Sequence, residues 1–477
     1  MINVGQWFTF AKFRGCIVGL LHPASSWVAE GGGCGSGRPP WRGRARENGS
    51  ALLAALCFAS VLGIALASYT ALCQRTLEMS TRALHGSRCV ELTDTGMEEA
   101  LWAMNKTTWT GWTITGTTAT KTLTGFTYEN GVTGEVRLTV ETYNSSTGTR
   151  RVTVTGIAHV PNVGDITRTL TSTSVRAPLF VNAIAATNGT VSFSSGGGAD
   201  SYDSGLGTYA SQTPTFSAVI ASEAEPSTSA NILLTNAQIK GYVASRYSGG
   251  PSFSTNAKVI GPSTPVTTKI DWNRIVSSPY QPVFTIRTIS GTGSTLANPP
   301  LGSTTTIGSP TDTVPAIYYC TGLDLTGTTK IIVDGPVQLV VSGAFYIGLN
   351  GGANTASIEL SATGSLEVFV AGDIAIYGNG IRNVSQDPRR LAVFGTNTLT
   401  VPDMNTTVPY HGVIYTPNGN FTVAANSVIY GALVAKKVSC TGTAPALHYD
   451  LRLRRTVFSG IDTPFAVLDW RESTAGG

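Results

Sequence analysis

The segment DSYDSGLGTY (200–209) sets Asp200, Ser201, Asp203 and Ser204 close together. Oxygen ligands at that density suit a calcium ion, but a dedicated calcium loop supplies more carboxylates at alternating positions. The same residues also build a turn closed by Asp and Ser side chains. Further on, LHYDLRLRR (447–455) groups His448, Tyr449 and Asp450. An imidazole beside a carboxylate suggests acid–base chemistry, yet no nucleophile accompanies it, and the alternative is a cap with the Tyr ring on a last coil. Asp334, Glu359, Glu367 and Asp373 are the acids a polysaccharide-cleaving site would need in pairs, and they are scattered over strands and turns. Tyr202, Tyr319, Phe345, Tyr346 and Tyr377 could line a carbohydrate or partner surface or fill the core. No GxSxG, HExxH or Gly-Lys-Ser/Thr motif occurs, so hydrolase, zinc-protease and nucleotide-binding readings find no support.

The seven cysteines include no CxxC pair, which gives a zinc site little support. Cys320 and Cys440 are the two in the β-rich part, each followed by Thr-Gly. A disulfide between them would close a long loop and contribute roughly 4–5 kcal/mol in an oxidising compartment.

The elements that must position these residues follow from composition. Only 13% of residues are charged, and Gly is abundant at 54. That balance suits an exported β-rich protein rather than a disordered one. A net charge of +4 with no basic block beyond residue 46 leaves no nucleic-acid footprint.

ENGSALLAALCFASVLGIALASYTALC (47–73) carries no charge from Asn48 through Cys73 and follows Arg42, Arg44 and Arg46. The run is long enough to span a bilayer, and the arginines favour its N-terminal end staying in the cytoplasm. A cleavable signal ending at Ala65-Leu66-Ala67 is the alternative. Residues 74–105 contain no Pro, and Val90, Met97, Leu101 and Met104 recur at helical spacing. One helix of roughly 80 Å is therefore expected, apolar first and amphipathic later.

From Thr107 the chain alternates. Val136, Leu138 and Val140 face one way, Arg137, Thr139 and Glu141 the other. Turns at Asn130-Gly131, NSSTG (144–148) and PNVG (161–164) predict a small antiparallel meander. Past Arg176, VQLVVSGAFYIG (337–348) and LEVFVAGDIAIYG (366–378) are approximate repeats, and GVIYTPNGNFTVAANSVIYGALVAKKVSC (412–440) shares their texture. Recurring strand–turn units point to a solenoid, with a β-sandwich as the competing architecture.

The basic segment, Gly49, and Ser50-Ala51-Leu52-Leu53 opening an apolar helix resemble the stem of type IV pilins and pseudopilins. The later TGMEEALWAMN makes the resemblance specific to PilX-like pilus assembly proteins. It implies cleavage between Gly49 and Ser50 by a prepilin peptidase, with the apolar segment retained. Ala54 stands where major pilins carry Glu, which implies a minor subunit. DSYDSGLGTY, YTPNGNFTV and LHYDLRLRR are similar to an uncharacterised domain common at the C-terminus of that family.

The fold expected is mainly β with a long N-terminal α-helix. Residues 1–49 form a leader or a mis-assigned upstream segment, 50–105 a pilin-like stem and 106–176 an antiparallel β module. Residues 177–330 form a Ser/Thr/Pro-rich β and loop region, 331–470 a β-solenoid-like domain and 471–477 a flexible tail. The function expected is that of a non-enzymatic minor pilin without cofactor, in the cytoplasmic membrane and a cell-surface filament. Its head would serve surface interaction or adhesion. Its partners would be other pilin-like subunits, the assembly machinery with its peptidase, and the lipid bilayer. The alternative is a secreted or membrane-anchored β-solenoid surface protein that binds or cleaves carbohydrate.

Overall fold

The computed structural model describes residues 50–473 except 144–148, 162, 195, 225–229, 266, 278–282, 349–354, 397–402, 425–426 and 443–444. One long N-terminal helix, α1 (Ser50–Lys106), is followed by a mostly β region. The boundary between two compact units falls inside this helix, after Leu77.

In the first unit α1 is apolar on every side and exposed, with Leu52, Leu56, Phe58, Leu62 and Ile64 all open. This part is long and apolar enough to cross a membrane.

In the second unit the remainder of α1 lies on an antiparallel sheet. Its strands are β1 (Thr113–Thr115), β2 (Thr118–Thr127), β3 (Thr133–Glu141), β4 (Thr149–Val160) and β5 (Gly164–Arg176), each paired with the next. Val136, Leu138, Val140, Val152 and Val154 are buried on one face, as their alternation predicts. At the Asn130-Gly131 turn both residues adopt positive φ (60° and 74°). A sixth strand, Phe465–Ser473, pairs antiparallel with β5. By sequence most of this strand belongs with the solenoid-like domain (331–470) and the rest with the tail (471–477). Its length and alternation do not say which distant strand it will join.

Between β5 and that sixth strand the chain builds a solenoid of parallel strands, which decides against the sandwich. Side chains stack in register along its inner faces. One column runs Ile275, Val243, Ile220, Ile184, Leu433, Ile414, Val393, Val368, Leu339 and Tyr318. A second runs Phe253, Leu234, Phe193, Cys440, Val423, Met404, Ile376, Ile347 and Leu325. A shorter face stacks Ile331, Ile358 and Ile381. Each coil thus buries its aliphatic residues on its neighbours.

The solenoid starts at Ile184, well before the expected residue 331, because the chain enters the stack in its middle. The strand Ile184–Ala186 lies between Ala218–Ser222 and Val428–Cys440. A first pass coils away as far as Ser277, and a second returns from Ser294. Residues 283–287 are pinned along the flank. The Tyr415 hydroxyl donates to the Phe284 carbonyl at 3.0 Å and accepts from its N–H at 2.8 Å. The Arg287 N–H donates to the Gly460 carbonyl at 2.8 Å. The coils of this Ser/Thr/Pro-rich β and loop region are hard to see in the sequence because its strands are short and supply few apolar residues per coil.

Candidate functional site

Two features concentrate the residues singled out by sequence, the α1 stem and a polar seam in the solenoid. On the stem, Gly49 and the three arginines Arg42, Arg44 and Arg46 lie outside the described residues, and Ser50 opens α1. A further pattern lies along the apolar run. Ala51, Ala55, Ala59, Gly63, Ala67 and Ala71 are small and recur every fourth residue. Residues four apart form a ridge on a helix, and small side chains along it let a second helix approach closely. A count of residues by size at that interval would have found it.

Further along, α1 turns a buried face to the sheet, made by Cys89, Leu92, Thr93, Gly96, Met97, Ala100, Ala103 and Met104. Of the residues expected there, Leu101 is half-buried and packs against this core, while Val90 lies off the face at 38% exposed. The face runs over small residues because the helix sits very close to the strands. A Cβ added to Gly96 would lie 2.4 Å from Val154 Cγ1 and 2.7 Å from Val136 Cγ1. Across the contact, one on Gly156 would lie 2.4 Å from the Cys89 carbonyl oxygen. Lys121 reaches Glu99 at 2.5 Å at its edge.

The polar seam joins the two passes of the solenoid. His411, Tyr430, His448 and Asp200 are successive partners across four parallel strands. The rings stack in order, with centroids 4.4 Å apart for His411–Tyr430 and 4.7 Å for Tyr430–His448. Tyr209 packs against His448 at 3.9 Å and meets Tyr430 edge-on at 5.3 Å. His448 Nδ1 lies 2.6 Å from Asp200 Oδ1, and the Tyr209 hydroxyl donates to Asp200 Oδ2 at 2.8 Å. Lys240 Nζ stands 3.9 Å from the same oxygen. Burial, followed by the charge of His448, pushes the His411 imidazole down to about 4. Burial and the Asp200 carboxylate raise the Tyr209 phenol.

DSYDSGLGTY and LHYDLRLRR therefore meet as neighbouring strands. Asp200 and Asp203 do not converge on one point. Asp203 accepts from the Gly205 N–H at 2.8 Å and caps the short 3-10 turn Ser204–Leu206. Asp450 accepts from the N–H groups of Ser204 (3.0 Å) and Arg452 (3.1 Å). Tyr449 was expected to cap the last coil. Instead its ring is buried, its hydroxyl donates to the Phe180 carbonyl at 2.7 Å, and its strand lies inside the stack. The arrangement orients an imidazole, but among the described residues no hydroxyl or thiol bonds to its Nε2.

The scattered acids serve local structure. Asp334 accepts from Ser361 and Thr363, Glu359 pairs with Lys330, Glu367 holds Ser459, and Asp373 accepts from Tyr346. Cys320 and Cys440 are free, buried thiols rather than a disulfide. Their strands are five pairings apart along the stack, through 336–341, 365–370, 391–395 and 410–423. At about 4.8 Å per pairing that is about 24 Å, far beyond the 4.4–6.8 Å a disulfide spans between Cα atoms.

The profile of a family described as a domain of unknown function (DUF7305) matches residues 292–456. That span holds YTPNGNFTV and LHYDLRLRR, while DSYDSGLGTY lies before it. No curated protein matches the chain. Among solved structures, the competence-associated pilin ComZ from Thermus thermophilus aligns over 81% of this chain and 97% of its own at 12% identity. The TM-score of 0.24 is too low to equate the two folds.

Proposed function

We propose that this protein is a non-enzymatic, pilin-like subunit of a type IV pilus or related secretion filament. The observation that carries the reading is the division of labour along α1. Its first part is uncharged, exposed and crossed by the small-residue ridge, while its later part is locked onto the antiparallel sheet through Gly96 and Gly156. A membrane anchor alone has no use for such a ridge. A helix that leaves the bilayer to pack among its own kind does.

In this reading a prepilin peptidase cuts between Gly49 and Ser50, with Arg42, Arg44 and Arg46 holding the leader in the cytoplasm. The helix then waits in the cytoplasmic membrane until the assembly machinery extracts it into a filament beside other pilin-like subunits. The solenoid is the exported head and acts in surface contact or adhesion. The polar seam belongs to the architecture of that head, since it ties together the strands where the two passes meet.

The test is the mature N-terminus, read by mass spectrometry of membranes and sheared surface material with and without the prepilin peptidase. A terminus at Ser50 that depends on the enzyme is the result expected. A terminus at Ser68 would mean a secreted solenoid and defeat the proposal. An uncut apolar run would reduce α1 to a plain anchor.

A further inference from the structure

At the neck between the small sheet and the solenoid, two guanidinium groups share one ring. Arg150 stands 4.2 Å and Arg176 4.8 Å from the centroid of Phe465. Arg150 is 6% exposed, and its Nε and Nη1 are buried without a hydrogen-bond partner. Its register partner on β5, Ser174, is fully buried with an unpartnered hydroxyl. Thr463, whose carbonyl accepts from Arg176 at 3.0 Å, also buries an unpartnered hydroxyl. Each of these groups can donate a hydrogen bond.

The charges point the same way. Asp462 serves Arg287 at 2.5 Å and Arg176 at 3.7 Å. Among the described residues, no carboxylate lies within ion-pair distance of Arg150. Two guanidinium groups therefore share one carboxylate, and the third, Arg150, has none. A buried cation with unmade hydrogen bonds is costly unless a counter-charge accompanies it. Burial and the neighbouring Arg176 push the Arg150 guanidinium down to about 10, which still leaves it charged at neutral pH.

We propose that Arg150, Ser174 and Thr463 form a site for a small inorganic anion, of the size and charge of chloride, at the neck of the head. Arg150 supplies an N–H donor and the net charge, and the two hydroxyls complete a donor lining. Enclosure by Phe465, and by Trp109 at 5.9 Å from Arg150, excludes large anions. The ion would stiffen the join between β4, β5 and the strand returning from the solenoid. This does not depend on the pilin reading.

The test uses the full chain in detergent. Replacing gluconate with chloride at constant ionic strength should raise Tm by several degrees, and Arg150→Gln should abolish that response. Because Arg150→Gln could fail to fold, wild-type crystals grown in bromide provide an independent measurement. An anomalous peak within hydrogen-bonding distance of Arg150 Nε or Nη1 is expected. Equal chloride responses in wild type and variant, an ordered water in place of the bromide peak, or no density there would each overturn the site.

Discussion

Asn105, on the last turn of α1, holds the main chain of Phe465 from both sides. Its Oδ1 accepts the Phe465 N–H at 2.5 Å and its Nδ2 donates to the Phe465 carbonyl at 3.4 Å, across 360 residues of sequence. The stem helix is thereby stitched to the strand that comes back from the solenoid, and the head closes on itself.

Asn105→Ala leaves both groups of a half-buried backbone position unsatisfied and should cost about 1–3 kcal/mol. Hydrogen exchange on residues 465–473 is the direct readout, with faster exchange there and little change in the solenoid columns. Uniform exchange across the head in the variant would show that the clamp does not hold this strand.

Gly96→Leu forces a side chain where a Cβ alone already collides with Val154 and Val136. Overpacking of this kind costs about 1–3 kcal/mol, and the helix must lift to relieve it. Urea denaturation followed by tryptophan fluorescence should show a lower midpoint. The same change at Gly63, where nothing lies within 4 Å, should leave that midpoint unaltered.

Gly63→Leu has a different consequence if α1 packs among other helices. Membrane insertion and head stability should persist, while the subunit in sheared surface filaments falls about tenfold, the effect of losing about 1.4 kcal/mol per contact. Wild-type amounts in the filament fraction would remove the ridge from the assembly contact.

Acid should loosen the seam through His411. An imidazole held at about 4 in the folded state, against 6.5 ordinarily, binds fewer protons folded than unfolded. Stability is then fully present above 6.5 and declines as pH falls toward 4, by about 3 kcal/mol over that window. His411→Phe preserves the stack on Tyr430 and removes the titration. Its denaturation midpoint should fall less steeply than wild type between pH 6.5 and 4, and parallel curves would assign the acid sensitivity elsewhere.

Local pattern was enough for the α1 helix and the antiparallel strands. An uncharged run followed by a Pro-free amphipathic one makes a helix wherever it is placed, and the alternation of Val136, Leu138 and Val140 sets which face is buried. The glycines and recurring β-branched bursts likewise foretold stacked coils, and the two motifs DSYDSGLGTY and LHYDLRLRR marked the seam without revealing that they touch.

What only the tertiary structure decided is which distant segments meet. A parallel pairing is specified by the stacking of whole coils, and one aliphatic strand fits another almost equally well, so sequence carries little information about neighbours. Entry at Ile184 into the middle of the stack puts Asp200 against His448, 248 residues away, and leaves Cys320 and Cys440 on separate coils. The same closure brings Phe465 to Asn105 and Arg150. Those contacts depend on the length of the whole circuit, which no local window of residues contains.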